Sequence, residues 1–473
     1  MELALYCPDY GFYETERDNL GASGHFYTSV SVGPLFGELL AIQFAEWFEE
    51  AARNDLSSES GGIRCTPKAS PTTVPGRNSQ RVWSAAHPTA LSPGLTGQSI
   101  ESPKASPTTA PGHNSQSVWS AAHPAALSPG LTSAATSESP ISHLPSPISY
   151  QLVESGAHDG RLALDILTWF ATHRPDLLAQ LEYCIIEPSC RRRQWQEKTL
   201  AKFGERVRWL PDFAAFPCHS TPATRHTFQI IFSNELLDAM PAHRLCWDAK
   251  AKQWYELGLT FTDSQFQWQR MAQLRTPDSG LRTPDPGLRT QGPGLRTQDS
   301  GLWTPDSGLR TQDSGLRTLD SGLGAVLPDG FILDICPAAE LWWQDAARSL
   351  VRGKLLTLDY GLTSEELLLP ERKDGTLRGY VRHRMTTDVL ANPGQQDLTT
   401  HVNFSSIQAA GEAAGLRTEK FLTQERFLTE IVAQTSERQP LPISWTPARK
   451  RQFQTLTHPD LMGRRFCVLI QSR

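Results

Sequence analysis

Between residues 150 and 235, short apolar runs alternate with longer stretches whose apolar positions recur every three or four residues. Tyr150–Glu154 is the first run and ends in an acid at a glycine turn. Leu162, Ile166, Leu167 and Phe170 then fall at helical spacing, which predicts a helix over Arg161–His173. Tyr183–Ile186 predicts a second buried strand, closing on Glu187-Pro188, and Arg191–Phe203 a second helix. Val207–Leu210 predicts a third strand, ending near Asp212, and Gln229–Phe232 a fourth, ending in Ser233-Asn234-Glu235. Further on, Arg244–Asp248 and Trp254–Phe261 read as a hairpin, and Leu355–Asp359 as a buried strand running into Tyr360-Gly361. Phe404–Gly415 reads as an amphipathic helix and Phe466–Gln471 as a closing strand. Strand–helix alternation with short links is what a parallel sheet covered on both faces requires. The expected class is therefore α/β with a mostly parallel central sheet. Ligands on such sheets bind at the carboxyl ends of the strands, where Glu154, Glu187, Asp212 and Glu235 collect.

Two stretches break the pattern. Residues 56–149 are rich in Ser, Pro, Thr, Ala and Gly; Pro67–Thr73 recurs as Pro103–Thr109, and Val82–Pro88 as Val118–Pro124. Residues 274–323 repeat a unit of the type Leu-Arg-Thr-Pro-Asp-Ser-Gly. A period of seven suggests a coiled coil, but glycine and proline within the units stop a helix. One leucine per unit also cannot make a two-position seam. A β-solenoid or peptide-binding array is the alternative to disorder. So little apolar surface cannot offset the entropy of ordering, and disorder is expected. Near-identity of the copies points to recent tandem duplication. The expected division is 1–55, the N-terminal part of one α/β domain; 56–149, an insert; 150–273, the binding core; 274–323, a second insert; and 324–473, the C-terminal part. About 330 residues remain outside the inserts, enough for one large domain.

The net charge of −5 argues against a general nucleic-acid binder, which needs a basic face. Arg191–Arg193 reads as a solvated helix start. The eight cysteines include no CxxC pair and no zinc-ligand spacing, so free thiols in a reducing compartment and no metal are expected. There is no run of ~18 apolar residues to span a bilayer. Met1–Asp9 lacks the basic and apolar segments of a secretory signal. These features read as a soluble intracellular protein.

Candidate chemistry centres on Glu154-Ser155-Gly156-Ala157-His158-Asp159-Gly160, between strand and helix. Glycines there let backbone approach a ligand closely. An acid ending the next strand, Glu187, suits the hydroxyls of a ribose. A dinucleotide would use both features, but the turn lacks GxGxxG, which disfavours a nicotinamide oxidoreductase.

Six stretches carry a family resemblance: Ala4-Leu5-Tyr6…Gly11-Phe12-Tyr13; Gly24–Ser29 with Leu35-Phe36-Gly37-Glu38; the Glu154–Gly160 turn; Phe232–Pro241; Asp359-Tyr360-Gly361; and Gln396–Phe404. Together they resemble the MidA-like class I methyltransferases, whose eukaryotic members are mitochondrial complex I assembly factors that methylate an arginine of a complex I subunit. The resemblance implies a Rossmann-like class I fold and S-adenosyl-L-methionine as cofactor. The expected cofactor-binding residues are Phe26, Tyr27, Thr28, Glu154, Gly156, Gly160, Glu187 and Asp212. It also implies a protein acceptor, a respiratory-complex subunit among the choices, and a cytoplasmic location in a bacterium or a mitochondrial one in a eukaryote. Arginine is always cationic, so its guanidinium needs carboxylates to grip it. Glu235 and Asp238, three apart on an expected helical turn, are the choice for this catalytic role, with Asn234 as hydrogen-bond partner. Alternatively, Asp238 caps the helix and Glu235 acts alone. Asp359 and Asp397 suit structural and functional roles equally. The chain departs from the family at His158, where a middle glycine is usual and a side chain is expected to narrow the methionine site, and at Asn403, where an acid is common. It also has no counterpart of the family's helix ahead of Ala4-Leu5. A small-molecule methyltransferase and a non-catalytic assembly factor with the same fold are the alternatives.

Overall fold

The structure is a computed structural model that describes residues 1–14, 28–60, 150–216, 227–271, 327–382, 384–438 and 443–473. Residues of the two repetitive stretches other than 56–60 lie outside the described residues, as do Phe26 and Tyr27. The strands in chain order are β1 (Tyr150–Ser155), β2 (Leu181–Ile186), β3 (Val207–Leu210), β4 (Phe228–Asn234), β5 (His243–Asp248), β6 (Gln253–Thr262), β7 (Gln265–Arg270), β8 (Ile332–Ile335), β9 (Gly353–Leu362), β10 (Arg378–Val381), β11 (Arg384–Thr386), β12 (Asp397–Thr399), β13 (Val402–Asn403), β14 (Arg417–Thr423) and β15 (Phe466–Ser472). The central sheet runs β14-β15-β9-β4-β1-β2-β3, with β13 added beside β9. Strands β3, β2, β1, β4 and β9 are mutually parallel, and β15 is antiparallel to both its neighbours. This is the mostly parallel α/β sheet expected.

Both faces of the sheet are covered, which is why its inner strands read as continuous apolar runs rather than as alternating ones. After the short α1 (Glu2–Tyr6) come α2 (Leu35–Ser60) and α3 (Arg161–His173); Leu152, Tyr183, Ile185, Ile230 and Phe232 face a core shared with α2, α3 and the C-terminal helices Gln424–Arg438 and Pro447–Thr457. Their neighbours Val153, Cys184 and Ile231 face a second core against Pro337–Ser349 and Phe404–Ala413, filled by Trp343, Phe404 and Ile407. Burying a side chain such as Phe232 contributes about 1.5–3 kcal/mol. Helix α2 supplies Leu40, Phe44, Trp47 and Phe48 at helical spacing, and the Phe44 ring lies 5.2 Å from that of Phe232. It continues to Ser60, five residues into the range assigned to the first insert. All described residues belong to one compact unit, Met1–Gly62 with Pro145–Arg473.

The hairpin expected at Arg244–Phe261 forms as β5–β6, extended by β7 and β8 into an antiparallel sheet of order β7-β6-β5-β8. The helix expected over Arg191–Phe203 is shorter. It spans Cys190–Thr199, with Ser189 as N-cap, and gives way to a tighter segment at Ala201–Arg206 bent at Gly204 (φ 40, ψ −114). Asn403 is the N-cap of Phe404–Ala413: its Oδ1 accepts Ser406 N–H at 3.2 Å and the Ser364 hydroxyl at 3.1 Å. Among the described residues no helix is long and apolar enough to cross a membrane.

Candidate functional site

Strand register sets the carboxyl ends of β1 and β4 beside the middle of β9: Ser155 lies beside Ser233, and Ser233 beside Thr357. Ser233 donates to Thr357 at 2.9 Å, whereas the buried Ser155 Oγ has no hydrogen-bond partner among the described residues. The turn that leaves β1 is built on left-handed backbone at Gly156 (φ +79), His158 (φ +47) and Gly160 (φ +82). A Cβ at Gly156 would lie 3.0 Å from Cδ1 of Leu236, so this turn is pressed against the residue following Glu235. At Gly160 a Cβ would meet Gln196 Cα at 3.3 Å. His158 keeps the conformation a glycine would adopt, and its ring lies 6.2 Å from that of Trp195. Glu154 is buried, accepts the Tyr183 hydroxyl at 2.6 Å, and is pushed up to about 7 by burial against the pull of that bond.

Glu187, just past β2, is 4% exposed, yet both its carboxylate oxygens are engaged. Oε1 accepts Ser189 N–H at 2.9 Å and Oε2 accepts Gln196 Nε2 at 2.8 Å, with Arg192 Nε 3.4 Å from Oε1. Arg192 also lies 3.3 Å from Glu14, which accepts the Ser189 hydroxyl at 2.7 Å. The N-terminal residues therefore reach the end of β2. Asp212 stands beyond β3, exposed, with Oδ1 accepting Ala215 N–H at 3.0 Å as the cap of Phe213–Ala215. Thr28 lies elsewhere. Its hydroxyl accepts Ser31 N–H at 3.0 Å, and the adjoining Ser29 N–H donates to Glu235 Oε1 at 2.7 Å.

Past β4, Glu235 sits in left-handed backbone (φ +49) and is half-buried. Burial pushes its carboxyl up to about 8, Ser29 N–H pulls the other way, and Asp359 adds to the rise. Asn234 Nδ2 donates to the same Oε1 at 3.2 Å, while its own buried Oδ1 has no partner among the described residues. The helical turn expected to carry both Glu235 and Asp238 does not form. Asp359 Oδ2 accepts the N–H groups of Leu236 (3.2 Å) and Leu237 (2.9 Å), and Asp238 falls within a short 3₁₀ turn, Leu237–Ala239. Asp238 nevertheless joins the acid group and does not cap a helix. It is buried, its Oδ1 has no partner among the described residues, and burial with the charges of Asp359, Asp397 and Glu235 raises its carboxyl well above the usual range.

Asp359 gives its oxygens to backbone, Oδ1 also accepting Tyr360 N–H at 2.8 Å, which marks it as the brace of this turn. Asp397 accepts the Tyr13 hydroxyl at 2.6 Å; burial pushes both Asp359 and Asp397 up to about 7. Tyr6 donates to Ala239 O at 3.1 Å and its ring carries Arg192 at 5.8 Å. The sequence assigned no site role to Ser29, Tyr6 or Tyr13, although they fall in the stretches that carry the resemblance, nor to Glu14 or Gln196; Arg192, expected in a solvated helix start, pairs instead with Glu14 and Glu187. They reach the site from remote segments or from a polar helix, and no spacing marks them.

A backbone turn that a Cβ would fill, an acid beside it, and buried oxygens without partners at Ser155 and Asn234 fit a ligand rich in hydroxyl and ammonium donors. Residues 139–422 match the family described as "Putative S-adenosyl-L-methionine-dependent methyltransferase". The chain is 33% identical over 151 residues to Protein arginine methyltransferase NDUFAF7, mitochondrial, of Xenopus tropicalis, covering 30% of this chain and 33% of that protein. It is 30% identical over 142 residues to the Homo sapiens protein of the same name, covering 28% and 30%. The match thus spans about a third of the length of these curated relatives. A crystal structure of a Burkholderia thailandensis protein bound to S-adenosyl-homocysteine superposes with a TM-score of 0.61 at 22% identity, covering 100% of this chain and 86% of that one. The match over residues 139–422, more than half of the chain, together with this likeness in fold, leads to one conclusion: this chain belongs to the MidA-like family of class I S-adenosyl-L-methionine-dependent methyltransferases.

Proposed function

We propose that the protein methylates an arginine side chain of a protein acceptor, with Glu235 orienting the acceptor nitrogen. The observation that carries this reading is Glu235 itself. It is the half-exposed member of an otherwise buried acid group, beside the turn at Gly156. The names of the relatives support an arginine acceptor in a protein, and the resemblance extends this to a respiratory-complex subunit. The cofactor supplies an activated methyl group on a sulfonium. Glu154, Gly156, Gly160 and Glu187 would hold it, with Asp212 beyond β3 and the Phe26–Thr28 stretch as further candidates. The chain's remaining work is alignment and electrostatics. Ser29 N–H and Asn234 Nδ2 fix one oxygen of Glu235, which leaves the other to accept from the acceptor nitrogen. Asp238 would add a second carboxyl behind it, biasing positive charge away from the attacking nitrogen.

A small cationic acceptor is the second reading, favoured by the burial of Asp238 and Asp397 beneath Tyr6 and Tyr13. The test incubates the protein with radiolabelled S-adenosyl-L-methionine and arginine-bearing peptides. Label in peptide arginine, lost in Glu235→Gln with S-adenosylhomocysteine binding intact, supports the proposal; label only in small molecules defeats the protein-arginine reading.

A further inference from the structure

Gln196 is polar and fully buried, and both its amide donors and its carbonyl oxygen are engaged. Nε2 donates to Glu187 Oε2 at 2.8 Å and to the His158 carbonyl at 3.0 Å, and Oε1 accepts the Trp209 indole N–H at 2.9 Å. An indole nitrogen only donates, so it admits one orientation of the amide and turns Nε2 toward Glu187 and His158. One side chain thereby joins three strand ends: the turn after β1, the acid after β2, and β3. The turn it grips is also the one in which His158 holds left-handed backbone without being glycine. At Gly160 a Cβ would sit tightly against the Gln196 backbone, 3.3 Å from its Cα, in a left-handed conformation (φ +82) that disfavours a side chain.

We propose that Gln196 is a positioning residue for the cofactor, setting the glycine turn and the ribose acid at the separation the ligand needs. This rests on reading Glu187 and the Glu154–Gly160 turn as the cofactor site. A glutamine is suited to the task because it donates twice from one nitrogen while staying uncharged. A glutamate there would face Glu187 with like charge, and a leucine would leave a buried carboxylate and a buried carbonyl each short of a donor.

The test measures S-adenosylhomocysteine binding by calorimetry to the full chain and to Gln196→Leu, Glu187→Ala and the double variant. Both single variants are expected to bind about ten- to a hundredfold more weakly, as for loss of a hydrogen bond to a charged group. The double variant is expected to lose less than the product of the two, because Glu187 depends on Gln196 for its orientation. Glu187→Ala binding like the parent overturns the cofactor-site reading and the proposal with it. Weak binding by Glu187→Ala with parental binding by Gln196→Leu overturns the proposal alone, as does strict additivity. If Gln196→Leu does not fold, Trp209→Phe removes the donor that orients the amide, together with part of the ring that Arg193 covers. It should weaken binding severalfold, and unchanged affinity would refute the proposal.

Discussion

The backbone N–H of Ser29 donates to Oε1 of Glu235 across 2.7 Å, although the two residues are 206 positions apart. A main-chain donor cannot titrate and has no rotamers, so it fixes that oxygen at any pH. The other bond to the same oxygen, from Asn234, runs along the chain. Glu235 is thus aimed from two sides before any acceptor arrives.

Its pH behaviour follows. Burial raises Glu235 to about 8, so the carboxyl is neutral over the lower range and gains charge as pH rises through that value. A cationic acceptor must drive the proton off at pH 7 but finds it gone at pH 9. The Michaelis constant for an arginine peptide is expected to fall between pH 7 and 9, with proton release on binding at pH 7. A flat profile for the parent would contradict this.

The turn after β1 offers a steric test. A side chain at Gly156 meets Leu236 at 3.0 Å and must also adopt φ +79. Gly156→Val is expected to abolish measurable S-adenosylhomocysteine binding while far-ultraviolet circular dichroism stays close to the parent's. Calorimetry that finds parental affinity would remove this turn from the site.

Asp397 predicts a pH-dependent stability. Its carboxyl rises to about 7 in the fold, from about 4 in an unfolded chain. The folded state therefore holds this proton more tightly, and stability falls as pH climbs from about 4 through 7, then levels off. Asp397→Asn keeps an acceptor for the Tyr13 hydroxyl and removes the buried charge. Its melting temperature is expected to exceed the parent's by a few degrees at pH 8, with the gap closing toward pH 4. A gap independent of pH would show that the charge is not responsible.

The repetitive stretches predict tolerance to deletion. Their composition has no periodic apolar face, so replacing residues 63–144 and 274–323 by short linkers should preserve a cooperative melt and S-adenosylhomocysteine binding. Loss of the transition would make them part of the folding unit.

Much of the sheet was legible because strands buried on both faces cannot avoid apolar runs, and α3 cannot avoid its stripe. Arg161–His173 and Val207–Leu210 have the bounds their periodicity suggested. β7 (QFQWQR) and β14 (RTEKFLT) were missed because each is largely exposed and carries mixed residues. The site divides in the same way. Glu187 and Glu235 follow strands and were singled out as candidates by position, whereas Gln196 lies on a helix with no apolar stripe and Tyr13 reaches Asp397 across 384 positions. Neither contact leaves a trace in spacing, although Tyr13 itself lies in a stretch that carries the resemblance. The expectation for Asp238 failed on its backbone because three-residue spacing assumes a helix, and the Asp359 carboxylate captures the N–H groups of the following turn.

Glu235 also occupies a backbone conformation suited to glycine, at a cost of about 1–3 kcal/mol. It does so half-buried, beside the like-charged Asp359. Glycine at this position would relieve the torsion and the repulsion together. Mutant libraries sorted only for heat resistance should accumulate Glu235→Gly. If Glu235 orients the acceptor as proposed, libraries sorted for methyl transfer as well as heat resistance should retain it, and loss of Glu235 in both kinds of pool would count against that role.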